Sequence, residues 1–204
     1  MLKIGITGNI GSGKTTISHI FELLGIPVFY SDEVAKQVMT NDTKLMAGIK
    51  KHFGTEAYFA DGTFNRKHLS SIVFNNDAQL QALNSLVHPA VFRAFDGWVS
   101  QHNKAPYVLK EAAILFESGS YKDCNHTILV TAPLPMRISR VMRRDGITQA
   151  DAQSRNARQM PEEEKKKLAG FIIANDNSQL IIPQVLALHQ QFIKQFPTLF
   201  YDPE

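Results

Sequence analysis

The sequence predicts an α/β fold, a parallel five-stranded sheet with helices on both faces. Three observations support this prediction. Short apolar runs rich in β-formers recur along the chain, and stretches with the helical spacing of apolar residues separate them. The first run leads through a glycine-rich loop into an amphipathic helix. With 204 residues and 44% hydrophobic composition, the chain can bury a core under such a sheet.

The first two predicted strands flank the glycine-rich loop and its helix. The first strand is predicted at Leu2–Thr7 and the second at Ile26–Tyr30. Between them, helical spacing predicts a helix that Gly25 ends, from the positions Ile17, Ile20, Phe21 and Leu24. A further helix opens after the second strand, so Asp32 is expected at that strand's carboxyl end.

Three further strands and one long helical interval follow. The interval lies between the second and third strands, and its apolar positions have mostly helical spacing. Its length indicates an inserted subdomain. The remaining predicted strands are Tyr107–Leu109, Thr127–Val130 and Phe171–Ala174.

A charged region separates the fourth and fifth strands. Thr148 and Asp151 have the spacing of a capping box, and Pro161 followed by three glutamates starts another helix. We therefore expect a helical hairpin at the surface. Lys165–Lys167 close its second helix, where solvated charges that interact with the helix dipole are expected.

Composition argues against several classes of function. The net charge of +3 is not gathered into the basic stripe of a nucleic-acid binder, and no apolar run reaches the roughly 18 residues of a membrane span. One cysteine, Cys124, excludes an intrachain disulfide framework and a Cys-rich zinc site, and we expect it to be structural. The sequence therefore predicts a cytoplasmic protein with no nucleic-acid or membrane partner. We expect a monomer or weak homo-oligomer, although no sequence pattern specifies the oligomeric state.

The stretch GNIGSGKT matches the pattern of a phosphate-binding loop, or P-loop. Its glycines allow the backbone amides to approach phosphates closely, and the next helix directs its positive end at the same anion. Lys14 can reach the β- and γ-phosphates, and the Thr15 hydroxyl can ligate Mg²⁺. We expect the loop to bind ATP or GTP through Gly8, Asn9, Ile10, Gly11, Ser12, Gly13, Lys14, Thr15 and Thr16.

The remaining motifs favour a small-molecule kinase among the P-loop classes. A GTPase is disfavoured because Asn103-Lys104 continues as Ala-Pro and no Asp-x-x-Gly segment is present in the sequence. A motor ATPase is disfavoured because the nearest Walker B candidate, Tyr107–Glu111, does not end in a clean apolar-to-Asp motif. A regulatory nucleotide-binding protein without turnover stays an alternative, as does a kinase for another acceptor, such as a nucleoside or nucleoside monophosphate.

Phosphoryl transfer requires charge neutralisation and one carboxylate that orients the acceptor hydroxyl. Asp32 is the best candidate because ligands of open α/β sheets bind at the carboxyl ends of strands, although the helix dipole also favours an acid there. Arg137, Arg140 and Arg144 share one helical face. That face can close over the triphosphate as a lid, or it can make only surface ion pairs.

With these residues in view, the chain resembles the dephospho-CoA kinase family along nearly its whole length. The order of the matching motifs makes this likeness specific. In chain order they are GITGNIGSGKT, GIPVFYSDEVAKQV, DGTFNRKHL, His88-Pro89, AAILFESG, RISRVMRRDGIT with Arg155–Gln159, and IIAND.

The resemblance implies transfer of the ATP γ-phosphoryl group to the ribose 3′-hydroxyl of dephospho-CoA, which gives CoA and ADP. It implies that Asp32 is the general base or hydroxyl-orienting group, and that Lys14 and Thr15 serve the phosphates and Mg²⁺. The other implied contacts are Arg140 with the phosphates or adenine, Asn175 with the adenine, and Arg66 and His88 with the acceptor.

The family resemblance also implies a division of the chain. Residues 1–31, 106–136 and 170–204 would form the nucleotide-binding core, 32–105 the helical acceptor subdomain, and 137–169 the lid. Three positions depart from the common family pattern: Asn9 replaces a frequent glycine, Tyr30 a second Asp and Ala113 a Pro. The Tyr30 departure argues against a two-carboxylate mechanism. Glu117 matches the family, but its spacing predicts no role.

Overall fold

The computed structural model describes residues 1–74 and 76–195, so residues 196–204 of the predicted core lie outside the described residues. Within that described part, five parallel strands form one sheet, with helices on both of its faces. The strands are β1 Leu2–Thr7, β2 Val28–Tyr30, β3 Tyr107–Glu111, β4 His126–Thr131 and β5 Phe171–Ala174. All five predicted strands are confirmed. β2 begins two residues later than predicted, because Pro27 has no N–H to donate to a neighbouring strand.

The strand order, β2-β3-β1-β4-β5, places β1 at the centre of the sheet. From β1 the chain crosses to β2 on one side, whereas from β4 it continues to β5 on the other side. The connections after β1 and β4 therefore diverge at the carboxyl ends of neighbouring strands. Open α/β sheets bind their ligands at such a point, and the glycine-rich loop follows β1 there.

The helices complete the secondary structure of two compact units. Unit 1 contains Met1–Tyr30 and the chain from His102 onward, and unit 2 is Ser31–Gln101. The helices are α1 Lys14–Leu23, α2 Ser31–Asn41, α3 Thr43–Phe53, α4 Arg66–Val73, α5 Asp77–Gln101, α6 Leu134–Asp145, α7 Gln149–Ala157, α8 Glu162–Leu168 and α9 Ile181–Lys194.

The core of unit 1 lies between the sheet and the helices α1 and α9. Apolar side chains from each of these elements are fully buried and pack in one cluster, which fixes α1 against the strand that precedes it. Its members include Ile4, Ile6, Ile17, Phe21, Ile128, Val185 and Phe192. Gly25, with φ of 80°, lies two residues beyond the end of α1, as the sequence predicts.

Unit 2 consists mainly of the helices α2 to α5, whose buried faces include Val38, Leu45, Ile49, Phe53, Leu69, Val87 and Phe95. Asp42 caps α3, since its carboxylate accepts a hydrogen bond from the Leu45 amide at 2.8 Å. The same carboxylate pairs with Arg93 at 2.6 Å. The Leu45 amide, with the help of Arg93, holds the pKa of Asp42 below its ordinary value.

We expect Asp42→Ala to lower the free energy of unfolding by about 1 kcal/mol at neutral pH, because the N-cap is lost. Asp42→Asn keeps the cap and removes only the exposed ion pair, so it should cost a few tenths of a kcal/mol. Because the folded-state pKa is lowered, the stabilisation by the charge is present above about pH 4 and disappears as the pH falls through that pKa. Denaturant unfolding at neutral and acid pH measures both effects. Equal stability of wild type and Asp42→Ala would contradict the assignment.

Between β4 and β5 the chain forms α6, α7 and α8, and α7 and α8 begin where the capping box and Pro161 predict the two helices of the hairpin. α6 is a separate helix that ends at Gly146 with φ of 64°, where the chain turns. The capping box is confirmed: Asp151 N–H donates to the Thr148 hydroxyl at 3.2 Å, and the Thr148 amide donates to the Asp151 carboxylate at 3.3 Å. Across residues 1–74 and 76–195, no helix combines the length and hydropathy needed to cross a membrane.

Candidate functional site

The P-loop connects β1 to α1, as the sequence predicts. Gly11 and Gly13 have φ of 78° and 91°, a region that side chains other than glycine rarely adopt. The loop is tightened by a hydrogen bond from the Ser12 amide to the Asn9 carbonyl at 2.9 Å. Because Lys14 is the first residue of α1, the helix directs its free amides and positive dipole end toward any anion held by the loop.

Three consecutive carbonyls of the P-loop accept hydrogen bonds from side chains outside the loop. Arg137 Nη1 donates to the Ile10 carbonyl at 3.5 Å, Arg140 Nη1 to the Gly11 carbonyl at 3.4 Å, and Asn175 Nδ2 to the Ser12 carbonyl at 2.7 Å. The N–H and C=O of a trans peptide point in opposite directions. Fixing these carbonyls therefore also fixes the direction of the amides of the same peptides. The Ser12 amide donates to Asn9, and those of Gly11 and Gly13 can serve as donors to a phosphate.

Glu111 lies beside the two P-loop residues that were predicted to serve phosphate and metal. Its carboxylate pairs with Lys14 Nζ at 3.0 Å and accepts a hydrogen bond from the Thr15 hydroxyl at 3.1 Å. Glu111 is buried at the carboxyl end of β3, in register with Ile6 of β1. From the sequence, Tyr107–Glu111 is only a weak Walker B candidate. The pairing of β3 with β1, which brings Glu111 beside the P-loop, is not visible in the sequence.

The three arginines of α6 do different things, so they do not form the single ligand-facing surface considered from their spacing. Arg137 is buried and donates to the Ala132 carbonyl at 2.9 Å and to Asn156 Oδ1 at 2.6 Å. Burial lowers the pKa of Arg137, which Glu162 at 3.7 Å partly opposes. Arg144 is exposed and pairs with Asp145. Arg140 alone of the three bridges the P-loop and the end of β5.

Asn175 lies just after β5 and joins the P-loop to a cleft. Its side-chain Nδ2 donates to the Ser12 carbonyl, and its backbone carbonyl accepts from Arg140 Nη2 at 3.1 Å. The cleft has a volume of about 580 Å³. It is lined by Ile20, Asn175 and the residues from Asn177 to Ile182. Unit 1 thus brings together the predicted loop residues, Arg140 and Asn175 beside one cleft.

Lys165 corrects a prediction from the sequence. It was expected to be a solvated charge at the end of α8, but its side chain is fully buried and pairs with Glu117 at 2.9 Å. It also donates to the Ala113 carbonyl at 3.4 Å. The helical charge pattern gave no sign of this burial, because the partner residue lies 48 positions earlier in the chain.

The other predicted residues lie in unit 2, on three different helices. Asp32 is exposed in the first turn of α2, and Arg66 is exposed at the first position of α4, after the capping residue Asn65. His88 is half-buried within α5, one residue before Pro89. Burial lowers the pKa of His88, so its imidazole favours the neutral form.

A model of the dephospho-CoA kinase family matches residues 2–180. The chain belongs to the dephospho-CoA kinase family. The dephospho-CoA kinase of Bacteroides fragilis is 37% identical over 187 residues, which are 92% of this chain and 91% of that protein. The resemblance to this family and the kinase class are thus confirmed.

Solved structures of similar proteins support the same family and fold. A crystal structure of a protein from Thermus thermophilus aligns with this chain at 35% sequence identity and a TM-score of 0.82. The alignment covers 93% of this chain and 96% of the Thermus chain. The structure of the dephospho-CoA kinase from Campylobacter jejuni aligns at 26% identity and a TM-score of 0.69. This alignment covers 95% of this chain and 98% of the Campylobacter chain. Membership of a kinase family replaces the GTPase, motor and non-catalytic alternatives.

Proposed function

We propose that this member of the dephospho-CoA kinase family transfers the γ-phosphoryl group of ATP to the ribose 3′-hydroxyl of dephospho-CoA, which gives CoA and ADP. The P-loop is the observation on which the proposal depends. Its carbonyls are fixed from outside, and Lys14 and Thr15 lie at the beginning of α1. This arrangement suits a triphosphate, and the family assignment supplies the acceptor.

The chain's own residues would position the triphosphate and neutralise its charge. Amides of the P-loop and of the first turn of α1 would donate to the β- and γ-phosphates, and Lys14 would approach them by leaving Glu111. Arg140 would lie close to the phosphates or adenine, since it already contacts the loop at Gly11. The cleft beside Asn175 would take the adenine ring.

The oxygen atoms beside the P-loop fit a magnesium ion. Thr15 offers a hydroxyl and Glu111 a carboxylate, the hard ligands that Mg²⁺ prefers, and phosphate oxygens and water would complete its shell. The described residues contain no cluster of three or more His, Cys, Asp or Glu that could hold a metal. When bound, Mg²⁺ neutralises developing phosphate charge.

Asp32 would orient the acceptor hydroxyl and accept its proton. β2 ends at Tyr30, so only Ser31 separates Asp32 from the carboxyl end of that strand, the edge of the sheet at which ligands of α/β folds bind. Tyr30, two residues before Asp32, is not acidic, so a single carboxylate acts in the proposed reaction. Arg66 and His88 would hold the acceptor.

The protein would act in the cytoplasm as a monomer or weak homo-oligomer. It would have no nucleic-acid or membrane partners.

Glu111→Gln should raise the Mg²⁺ concentration needed for half-maximal turnover by about 10–100-fold, the usual effect of losing a partner of a metal ligand. The glutamine side chain has the size of glutamate but no negative charge. It therefore holds the Thr15 hydroxyl less firmly and no longer pairs with the Lys14 ammonium group. A Mg²⁺ titration at saturating ATP measures the change. Glu164→Gln, at an exposed acid of α8, is the control. If turnover by Glu111→Gln depends on the Mg²⁺ concentration as that of wild type does, Glu111 is not part of the metal site.

The acceptor is tested by offering several hydroxyl compounds in parallel. The protein is incubated with Mg²⁺, ATP and either dephospho-CoA, AMP, dTMP, uridine or shikimate, and the products are identified by mass. We expect one added phosphoryl group on dephospho-CoA and none on the others. Transfer to a different acceptor would keep the kinase and reject the proposed substrate.

A further inference from the structure

The turn between α7 and α8 is hydrogen-bonded directly to the P-loop. We call this turn, Gln159 and Met160, the α7–α8 junction. Gln159 Oε1 accepts a hydrogen bond from the Ile10 amide at 2.7 Å, and the Met160 carbonyl accepts one from Asn9 Nδ2 at 3.0 Å. The position of the loop's first residues therefore depends on the position of this junction.

Glu117 holds the junction from the other side. Its Oε1 accepts a hydrogen bond from the Met160 amide at 3.0 Å. The peptide groups of Met160 thus link two parts of the chain, with the amide bound to Glu117 and the carbonyl bound to Asn9 of the P-loop. One residue is all that separates the Glu117 carboxylate from the phosphate-binding loop in this chain of contacts.

The buried Lys165 keeps the Glu117 carboxylate in place. Its ammonium group lies 2.9 Å from Glu117 Oε1, and its side chain has no exposed surface, while that of Glu117 is 22% exposed. A buried ammonium group requires a charged partner close by, since an unpaired charge in the interior is strongly unfavourable. Lys165 therefore stabilises the position of Glu117 in which the same oxygen accepts from the Met160 amide.

We propose that Glu117 is a positioning residue for ATP binding, which fixes the P-loop through the α7–α8 junction. This inference rests on the proposed function only in taking ATP as the ligand of the loop. Glu117 lies outside the loop and is assigned no contact with the substrates. Its effect is to pre-order Asn9 and Ile10, so that the loop does not have to become ordered when the triphosphate binds.

Two double variants separate positioning from general stability. Glu117→Gln with Lys165→Met, called the Gln/Met variant, removes both charges and keeps an oxygen that accepts from the Met160 amide. Glu117→Met with Lys165→Met, called the Met/Met variant, removes the same charges and that acceptor. Neither variant contains a buried unpaired charge, so the comparison isolates one hydrogen bond to the junction.

We expect the Met/Met variant to bind ATP about tenfold more weakly than wild type, and the Gln/Met variant to stay within about twofold. Calorimetric ATP titration without acceptor measures this affinity. The KM for ATP should rise in the same proportion, with kcat at saturating ATP and the KM for the acceptor nearly unchanged. Amide hydrogen exchange across residues 9–13 should accelerate only in the Met/Met variant.

Gln159→Ala provides a second test that leaves the Glu117–Lys165 pair intact. It removes the acceptor of the Ile10 amide at a half-buried position and should also weaken ATP binding. If a folded Met/Met variant binds ATP as wild type does, or if Gln159→Ala does so where the Met/Met variant fails to fold, the proposal is overturned. Equal weakening of the two double variants would also overturn it, because the Met160 acceptor would then be irrelevant. Since ATP binding is measured without acceptor, a wrong acceptor assignment leaves this test unaffected.

Discussion

Asp32→Asn should lower kcat by about 10²–10⁴-fold while the affinity for ATP stays near that of wild type. The amide has almost the shape of the carboxylate and can still accept a hydrogen bond from the acceptor hydroxyl. It cannot take the proton, and it lacks the charge that orients the attacking oxygen. Single-turnover kinetics with saturating substrates measure the chemical step, and a separate titration measures ATP binding.

Glu33→Gln is the matched control for Asp32. Both acids are exposed in the first turn of α2, and both complement the positive end of that helix. If Asp32 acted only on the helix dipole, the two substitutions would have similar, small effects. A near wild-type turnover of Asp32→Asn, or an equal loss in Glu33→Gln, would show that Asp32 is not the catalytic carboxylate.

Gly11→Ala should weaken ATP binding by about 100-fold or more. A methyl group on Gly11 would overlap the carbonyl oxygen of Arg137, which belongs to the backbone of α6 and cannot turn aside. The residue also has φ of 78°, which costs an alanine about 1–2 kcal/mol. The loop must therefore shift, and losing one or two of its hydrogen bonds to a phosphate, each worth about 1.5–3 kcal/mol, gives an effect of this size.

Gly25→Ala separates the clash from the backbone strain. Gly25 has φ of 80°, and a methyl group there would meet nothing within 4 Å. We expect this control to lose about 1–2 kcal/mol of stability and to keep its affinity for ATP. Thermal unfolding and ATP titration of both variants measure the comparison. ATP binding by Gly11→Ala at wild-type affinity would contradict the packing of the P-loop against α6.

The features predicted correctly from the sequence are those encoded by neighbouring residues. The P-loop is a contiguous pattern whose glycines, lysine and threonine each have a local reason, and Thr148 with Asp151 forms a capping box within one turn. β5 is found at the predicted residues, because the run Phe171–Ala174 has the aromatic and β-branched residues that are typical of strands. The family motifs then gave the acceptor, which no local pattern specifies.

The features that were missed depend on contacts between distant segments. Glu111 meets Thr15 only because β3 lies next to β1, and strand order is not visible in the spacing of residues. Lys165 looks like a solvated helix-end charge until Glu117 is placed beside it. Arg137 and Arg140 are three residues apart on one helix, yet the first is buried as a structural donor and the second is half-buried beside the P-loop.

The position of the transferred phosphoryl group tests the central claim most directly. The protein is incubated with MgATP and dephospho-CoA, and the product is examined by mass and by phosphorus NMR, with Asp32→Asn as the comparison. We predict one new phosphomonoester on the ribose 3′-hydroxyl, formed in equal amount with ADP and far more slowly by the variant. Release of ADP with unmodified dephospho-CoA, or phosphorylation at another hydroxyl, would contradict the account.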